Sequence, residues 1–281
     1  MSTTRILTIQ DISCFGQCSI TVALPILSAM GIETAIIPSA VLSTHTGGFT
    51  GYTFRDLTED LPAIGAHWQK QGIAFDAFYT GYIGSKQQLN YIKNIVNTSR
   101  KEGALFVVDP VMGDNGKLYA GFDKAFASEM AAFLKGADVI LPNLTEAAYL
   151  LNEPYLGAEY TEAQTESLVR RLSALSGGNV VLTGVSFDKA KLGVAIYERN
   201  TDRVHYYFED RIEGSFHGTG DVYASVFTGA LLRGYSLREA AALAVDFTVR
   251  AIRATLPDRE EHAYGVKFEQ AIPYLIKRLS D

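Results

Sequence analysis

Cysteine is nearly absent: 281 residues hold only Cys14 and Cys18. Their C-x3-C spacing has no neighbouring histidine to complete a zinc site. Cysteine is among the residues most often buried, so free thiols buried in this apolar stretch are expected. Long apolar runs are also missing. No segment approaches the roughly 18 residues of a membrane span, and the apolar part of MSTTRILTIQDIS is too short for a signal peptide. A soluble, cytoplasmic protein with no membrane partner is the expectation. Positive charge is gathered nowhere: the formal net charge is −6 and no Lys/Arg run occurs. Nucleic acid is therefore not an expected partner, and an anionic substrate must be held by local groups. The chain also lacks G-x4-G-K-[ST], G-x-G-x-x-G after its first strand, G-x-S-x-G and H-E-x-x-H, which sets aside P-loop NTPases, Rossmann dehydrogenases, α/β-hydrolases and zincins. Isolated histidines such as His67 and His205 are expected at the surface or in packing roles.

A large core can be built from what is present, since 47% of the residues are hydrophobic and 20% charged. One α/β domain over residues 1–281 is expected. RILTIQ, ETAIIPSAV, FDAFYT, ALFVV, ADVIL and NVVLT read as short buried strands, the first closed by Asp11. Helical patterns lie between several of them. CSITVALPILSAMG ends at Gly31 with Pro25 in an early turn or at a kink, and capping boxes are expected at Ser85–Gln88 and Thr161–Gln164. This alternation predicts a mostly parallel central sheet with helices on its faces. KLGVAIYERNTDRVHYYFED breaks the rhythm and reads as a small antiparallel hairpin at the sheet edge. Two helices close the chain, the first with a box at Ser236–Glu239.

In such sheets ligands bind beyond the carboxyl ends of the strands. Asp11, Tyr82, Asp109, Asn143 and Thr183 all fall at predicted strand ends. In DPVMGDNGKLY, Asp109 and Asp114 suit magnesium, directly or through water, because that ion takes one or two carboxylates and completes its shell with water and phosphates. Asp114 reads equally as a turn former beside Asn115-Gly116. In PNLTEAAYLL, Asn143 and Glu146 form a capping box; Glu146 could also face a magnesium-bound phosphate. Lys117 reads as a phosphate contact or as surface. SFHGTGDVYASVF sets an acid at the start of a helix whose amides would otherwise welcome a phosphate. The two are compatible if an alcohol lies between them. Asp221 then takes the hydroxyl proton as general base, while Gly218, Thr219 and Gly220 form an anion hole for the phosphoryl oxygens.

The segments STHTGGF, YTGYIGS, DPVMGDNGKLY, LPNLTEA and HGTGD, in this order, resemble the pyridoxal (pyridoxine, pyridoxamine) kinases of the ribokinase-like superfamily, over essentially the whole chain. The resemblance implies a three-layer α/β/α fold and ATP-dependent phosphorylation of the 5′-hydroxymethyl group of a B6 vitamer. Asp109, Asn143, Glu146 and Thr183 would then surround the nucleotide phosphates and metal, with Glu146 as the magnesium contact. Ile212 and Phe216 would flank the adenine, Thr46 and Tyr82 would meet the pyridine ring, and Tyr119 would sit on a closing loop. A homodimer and a monovalent cation such as potassium also belong to this expectation. Asp11 departs from the family, whose members commonly carry serine there; facing the ring, it would favour a protonated nitrogen or an amine-bearing vitamer. Gly184 also replaces a common serine. A hydroxymethylpyrimidine kinase of the same superfamily and a non-catalytic vitamer-binding protein are the alternatives.

Overall fold

Branched and aromatic residues with few polar interruptions build the strands, and polar turns punctuate them. The computed structural model describes residues 3–280. Along the chain lie β1 (Arg5–Ser13), α1 (Ile20–Ala29), β2 (Glu33–Leu42), β3 (Phe54–Asp56), α2 (Leu61–Gln71), β4 (Phe75–Thr80), α3 (Lys86–Ser99) and β5 (Arg100–Val108). There follow β6 (Gly113–Asp114), β7 (Lys117–Leu118), α4 (Lys124–Phe133), β8 (Val139–Ile140), α5 (Leu144–Leu150), α6 (Glu162–Ser176) and β9 (Asn179–Val185). The chain closes with β10 (Lys191–Glu198), β11 (Arg203–Asp210), α7 (Thr219–Leu232), α8 (Leu237–Thr255) and α9 (Ile272–Ser280).

One sheet runs in the order β11-β10-β9-β8-β5-β4-β1-β2-β3. From β9 to β2 the neighbours are parallel; β3 at one edge and the β10–β11 pair at the other are antiparallel. The expected hairpin thus extends the main sheet. Side chains alternate between two apolar layers, as the strand period requires. Leu7, Ile9, Val180 and Leu182 pack with α2 to α6, whereas Ile6, Val181, Val194 and Ile196 pack with α1, α7, α8 and α9. The result is the expected α/β/α sandwich. Among the described residues, no helix is long and apolar enough to cross a membrane.

Several local expectations change. β1 does not stop at Asp11 but continues to Ser13, with a register shift against β2 between Gln10 and Ile12. Pro25 lies inside α1, past its first turn. Ser85 caps α3 by accepting from the Gln88 N–H at 3.2 Å, but the box is half made. Gln88 is fully buried, and its amide accepts from Gly84 N at 2.8 Å and donates to Ser39 O at 3.0 Å and Thr58 Oγ1 at 2.9 Å. A buried amide must satisfy both ends, and these tertiary partners outcompete the local one. The boxes at Thr161–Gln164 and Ser236–Glu239 form in full.

Candidate active site

β1→β2 runs to one side of the sheet and β4→β5→β8→β9 to the other, so the topological switch point lies between β1 and β4. Crevices at such points are open because the loops diverge there. Asp11 sits on one side of this point and Tyr82 on the other; Asp109, Asn143 and Thr183 follow on successive strands. A surface hollow of about 440 Å³ opens instead at the strands' amino ends, among Asp76, Leu105, Asp138 and Leu237. It carries none of these groups.

The amino end of α7 faces the same crevice. Gly218 caps it in the left-handed region at φ 76°, and a Cβ there would lie 1.8 Å from the Gln17 carbonyl oxygen. Only glycine fits. Val222 N bonds back to Gly218 O at 3.0 Å. The amides of Gly218, Thr219, Gly220 and Asp221 precede that bond and have no acceptor within the helix, so they remain available to an anion. Asp221, half-buried in this turn, has its carboxyl pushed up to about 7 by burial and by the charge of Asp11, against the pull of the Ser19 N–H. Asp11 is buried, accepts from Ser13 Oγ at 3.0 Å, and is raised by burial against its serine partners Ser19 and Ser13.

Across the crevice stands a second pair of acids. Asp109, next to the end of β5, and Glu146, in the first turn of α5, are both buried. Burial and the Glu146 and Asp221 charges hold Asp109 well above the usual carboxylate range. Glu146 is raised by burial although backbone N–H groups bond to it. None of the ion pairs among the described residues involves Asp11, Asp109, Glu146 or Asp221. Of these four, the neighbouring buried pair Asp109 and Glu146 suits a cation that completes its shell with water or phosphate.

α5 also fastens the 109–119 segment. Glu146 accepts from Asn143 N at 2.9 Å, completing the capping box, and its other oxygen accepts from Met112 N at 3.1 Å. Asn143 Nδ2 donates to Gly113 O at 2.8 Å, and Gly116 N donates to Thr145 Oγ1 at 2.8 Å. The β6–β7 turn is therefore docked on the helix start. Asp114 is exposed and bonds the Asn115 backbone and side chain at 2.8 and 2.9 Å, which is the turn-forming alternative. Among the described residues, no three His, Cys, Asp or Glu side chains gather closely enough to hold a metal by themselves. Lys117 is exposed in β7, and Tyr119 is exposed beside the same acids.

The remaining predicted positions are dispersed around this centre. Tyr82 is half-buried against Phe122, with ring centroids 5.6 Å apart. Thr46 is exposed in the loop after β2. Thr183 lies within β9 and bridges to Asn143. Ile212 and Phe216 are half-buried in the loop before α7, where the Arg259 guanidinium lies 5.5 Å from the Phe216 ring. The expected burial of both thiols fails. Cys14 is exposed and Cys18 half-buried, because both lie past the end of β1, outside the packed layers, with Cys18 near Asp221 and Asp11. His67 is exposed, as expected. Sequence reasoning missed Thr145, and it missed His45 and His217, whose rings meet at 5.4 Å. Their only sequence signal is that each stands within two residues of a glycine in a loop.

Residues 6–265 match the family model described as phosphomethylpyrimidine kinase. The Bacteroides thetaiotaomicron protein solved in an orthorhombic form with pyridoxal superposes with a TM-score of 0.92 at 38% identity, covering 98% of this chain and 96% of that one. Pyridoxal kinase from Lactobacillus plantarum superposes with a TM-score of 0.91 at 34% identity, covering 98% of both chains. The pyridoxine/pyridoxal/pyridoxamine kinase of Bordetella avium is 28% identical over 262 residues, 89% of this chain and 85% of that protein.

Proposed function

The chain belongs to the phosphomethylpyrimidine kinase family, and from that premise we propose that it transfers the γ-phosphoryl group of ATP to the 5′-hydroxymethyl group of a B6 vitamer. The observation that carries this reading is the placing of Asp221 in the first turn of α7, beside amides free to receive an anion. The Asp221 carboxylate accepts the hydroxyl proton as the alcohol oxygen attacks. The new O–P bond forms, the bond from the γ-phosphorus to the β,γ-bridging oxygen breaks, and ADP leaves. The Gly218, Thr219 and Gly220 amides hold the phosphoryl oxygens through the transfer. That the relative solved with pyridoxal shares 38% of its residues supports the choice of acceptor.

The buried acids without a cationic partner suit a magnesium ion. Asp109 and Glu146 would hold it directly or through water, and it would neutralise charge on the nucleotide phosphates. Asn143 and Thr183 border those phosphates, with Ile212 and Phe216 at the adenine. Thr46, Tyr82 and Asp11 would meet the pyridine ring. The same reading takes the protein as a homodimer, as the resemblance to the vitamin B6 kinases implies. The family description names a phosphomethylpyrimidine, which makes a hydroxymethylpyrimidine the second acceptor to test. ADP release measured with pyridoxal, pyridoxine, pyridoxamine and hydroxymethylpyrimidine, each with magnesium and ATP, separates the two. Turnover confined to the pyrimidine overturns the vitamer reading; no turnover with any alcohol overturns the kinase.

A further inference from the structure

One imidazole joins four segments around the crevice. His45, in the loop after β2, is 6% exposed. Its Nδ1 accepts from Gly47 N at 3.0 Å, and its Nε2 lies 3.0 Å from Tyr264 O. A carbonyl can only accept, and the Gly47 N–H can only donate. The ring is therefore the neutral tautomer with its proton on Nε2. Its own N–H donates to Phe15 O at 3.2 Å, and Phe49 packs edge-on at 5.2 Å. Gly16 touches the ring so closely that a Cβ there would lie 2.1 Å from His45 Cδ2. His217, the residue before Gly218, completes the ring's surroundings at 5.4 Å. Gln17 adds a parallel link, since Gln17 N donates to Tyr264 O at 3.0 Å while its own carbonyl abuts Gly218.

We propose that His45 is a positioning residue: its ring, hydrogen-bonded to Gly47 N and Tyr264 O and packed on His217, sets the loop bearing Thr46 against the loop bearing the Gly218–Thr219–Gly220 amides and Asp221. This rests on the kinase reading above. His45 precedes the residue assigned to the acceptor, and His217 precedes the amides assigned to the phosphoryl group. The ring between them sets how the alcohol and the transferred group stand relative to each other. Burial, with the charge of His217 adding to it, disfavours protonation of His45, which keeps Nδ1 free to accept.

The substitutions that test this are His45→Phe, which keeps the ring and loses both nitrogens, and His45→Asn, whose Oδ1 can still accept from Gly47 N. With Phe, kcat/KM for the vitamer should fall by about 10- to 100-fold, the scale of a misplacement near 1 Å, while the KM for ATP stays within about 2-fold. Asn should recover most of the loss. Equal losses in the two variants, or a vitamer kcat/KM for folded His45→Phe near that of the wild type, overturn the proposal. A readout without any variant is the imidazole ¹⁵N spectrum of the wild-type protein at pH 7.5. It should show a protonated Nε2 and a bare Nδ1 for His45; the opposite tautomer overturns the proposal even if the Phe variant does not fold. Wild-type protein that turns over no vitamer would instead defeat the kinase reading and leave the tautomer to be read.

Discussion

At the first turn of α7 an acid could serve merely as a partner for the helix dipole. Burial argues otherwise for Asp221. A dipole partner gains from being charged, whereas this carboxyl is pushed up to about 7, mainly by burial. That places it where a general base exchanges protons most effectively near neutral pH. Asp221→Asn should lower kcat by about 10²- to 10⁴-fold, the usual worth of such a base, with ATP binding measured by calorimetry retained. For the wild type, kcat/KM for the acceptor should rise with pH through about 7, because only the deprotonated carboxylate accepts a proton. A limb well below pH 6 would assign the titration to another group. Asp11 is the second residue whose chemistry is specific to this chain. Replaced by serine, it should cost pyridoxamine about tenfold in kcat/KM relative to pyridoxine, the worth of a hydrogen bond to a charged group. An unchanged order of vitamers would remove Asp11 from the acceptor contacts.

Elements hold these residues through their ends rather than their middles. The starts of α5 and α7 supply Asn143, Glu146 and the free amides, and each start is shaped by a specific local device. For α7 the device is Gly218. A side chain there meets both a left-handed backbone and the Gln17 carbonyl. Gly218→Ala should therefore displace the amides. The expected result is a kcat lower by about 10²- to 10³-fold, the worth of an anion-hole donor. A lower midpoint temperature in calorimetry should accompany it, from backbone strain of about 1–3 kcal/mol. Normal turnover would show that the amides take no part. For α5 the Asn143–Glu146 box was legible in PNLTEA, but the box also reaches Met112 and Gly113. That link joins residues some thirty positions apart, and spacing does not encode it. Ser85–Gln88 teaches the converse: the motif was present, yet the buried amide of Gln88 turned to Ser39 and Thr58.

At the scale of the whole molecule, acids are concentrated at one sheet edge and form no ion pair with a cation among the described residues. Asp11, Asp109, Glu146 and Asp221 all have folded-state pKa values raised chiefly by burial. The folded chain then binds more protons than the unfolded one, whose aspartates titrate near 3.9, so stability falls as pH rises. The contribution from Asp221 is fully present below about 4 and lost as pH passes through about 7. Without ligands, the thermal midpoint should decline from pH 5 to pH 8. Magnesium with ATP should restore it by binding only the folded chain, and Asp109→Asn should flatten the slope. A flat profile in the unliganded wild type would mean that these acids are well solvated.

Much of the fold was legible in the amino-acid sequence, because strand and helix periods and terminal caps depend on neighbours a few residues apart. The alternation of buried strands with capped helices, the edge hairpin and the Asp221 helix start all came from that scale. So did the order of polar residues at strand ends, which becomes spatial order because β1, β4, β5, β8 and β9 lie together in the sheet. Tertiary structure alone decided the rest. It left the thiols outside the core, turned Asp114 onto Asn115, and set His45 between Gly47, Tyr264 and His217. The last contact spans more than 200 residues of chain, as His45 meets Tyr264. Burial and hydrogen-bond partners at that separation depend on how the layers close, and no local pattern carries that information.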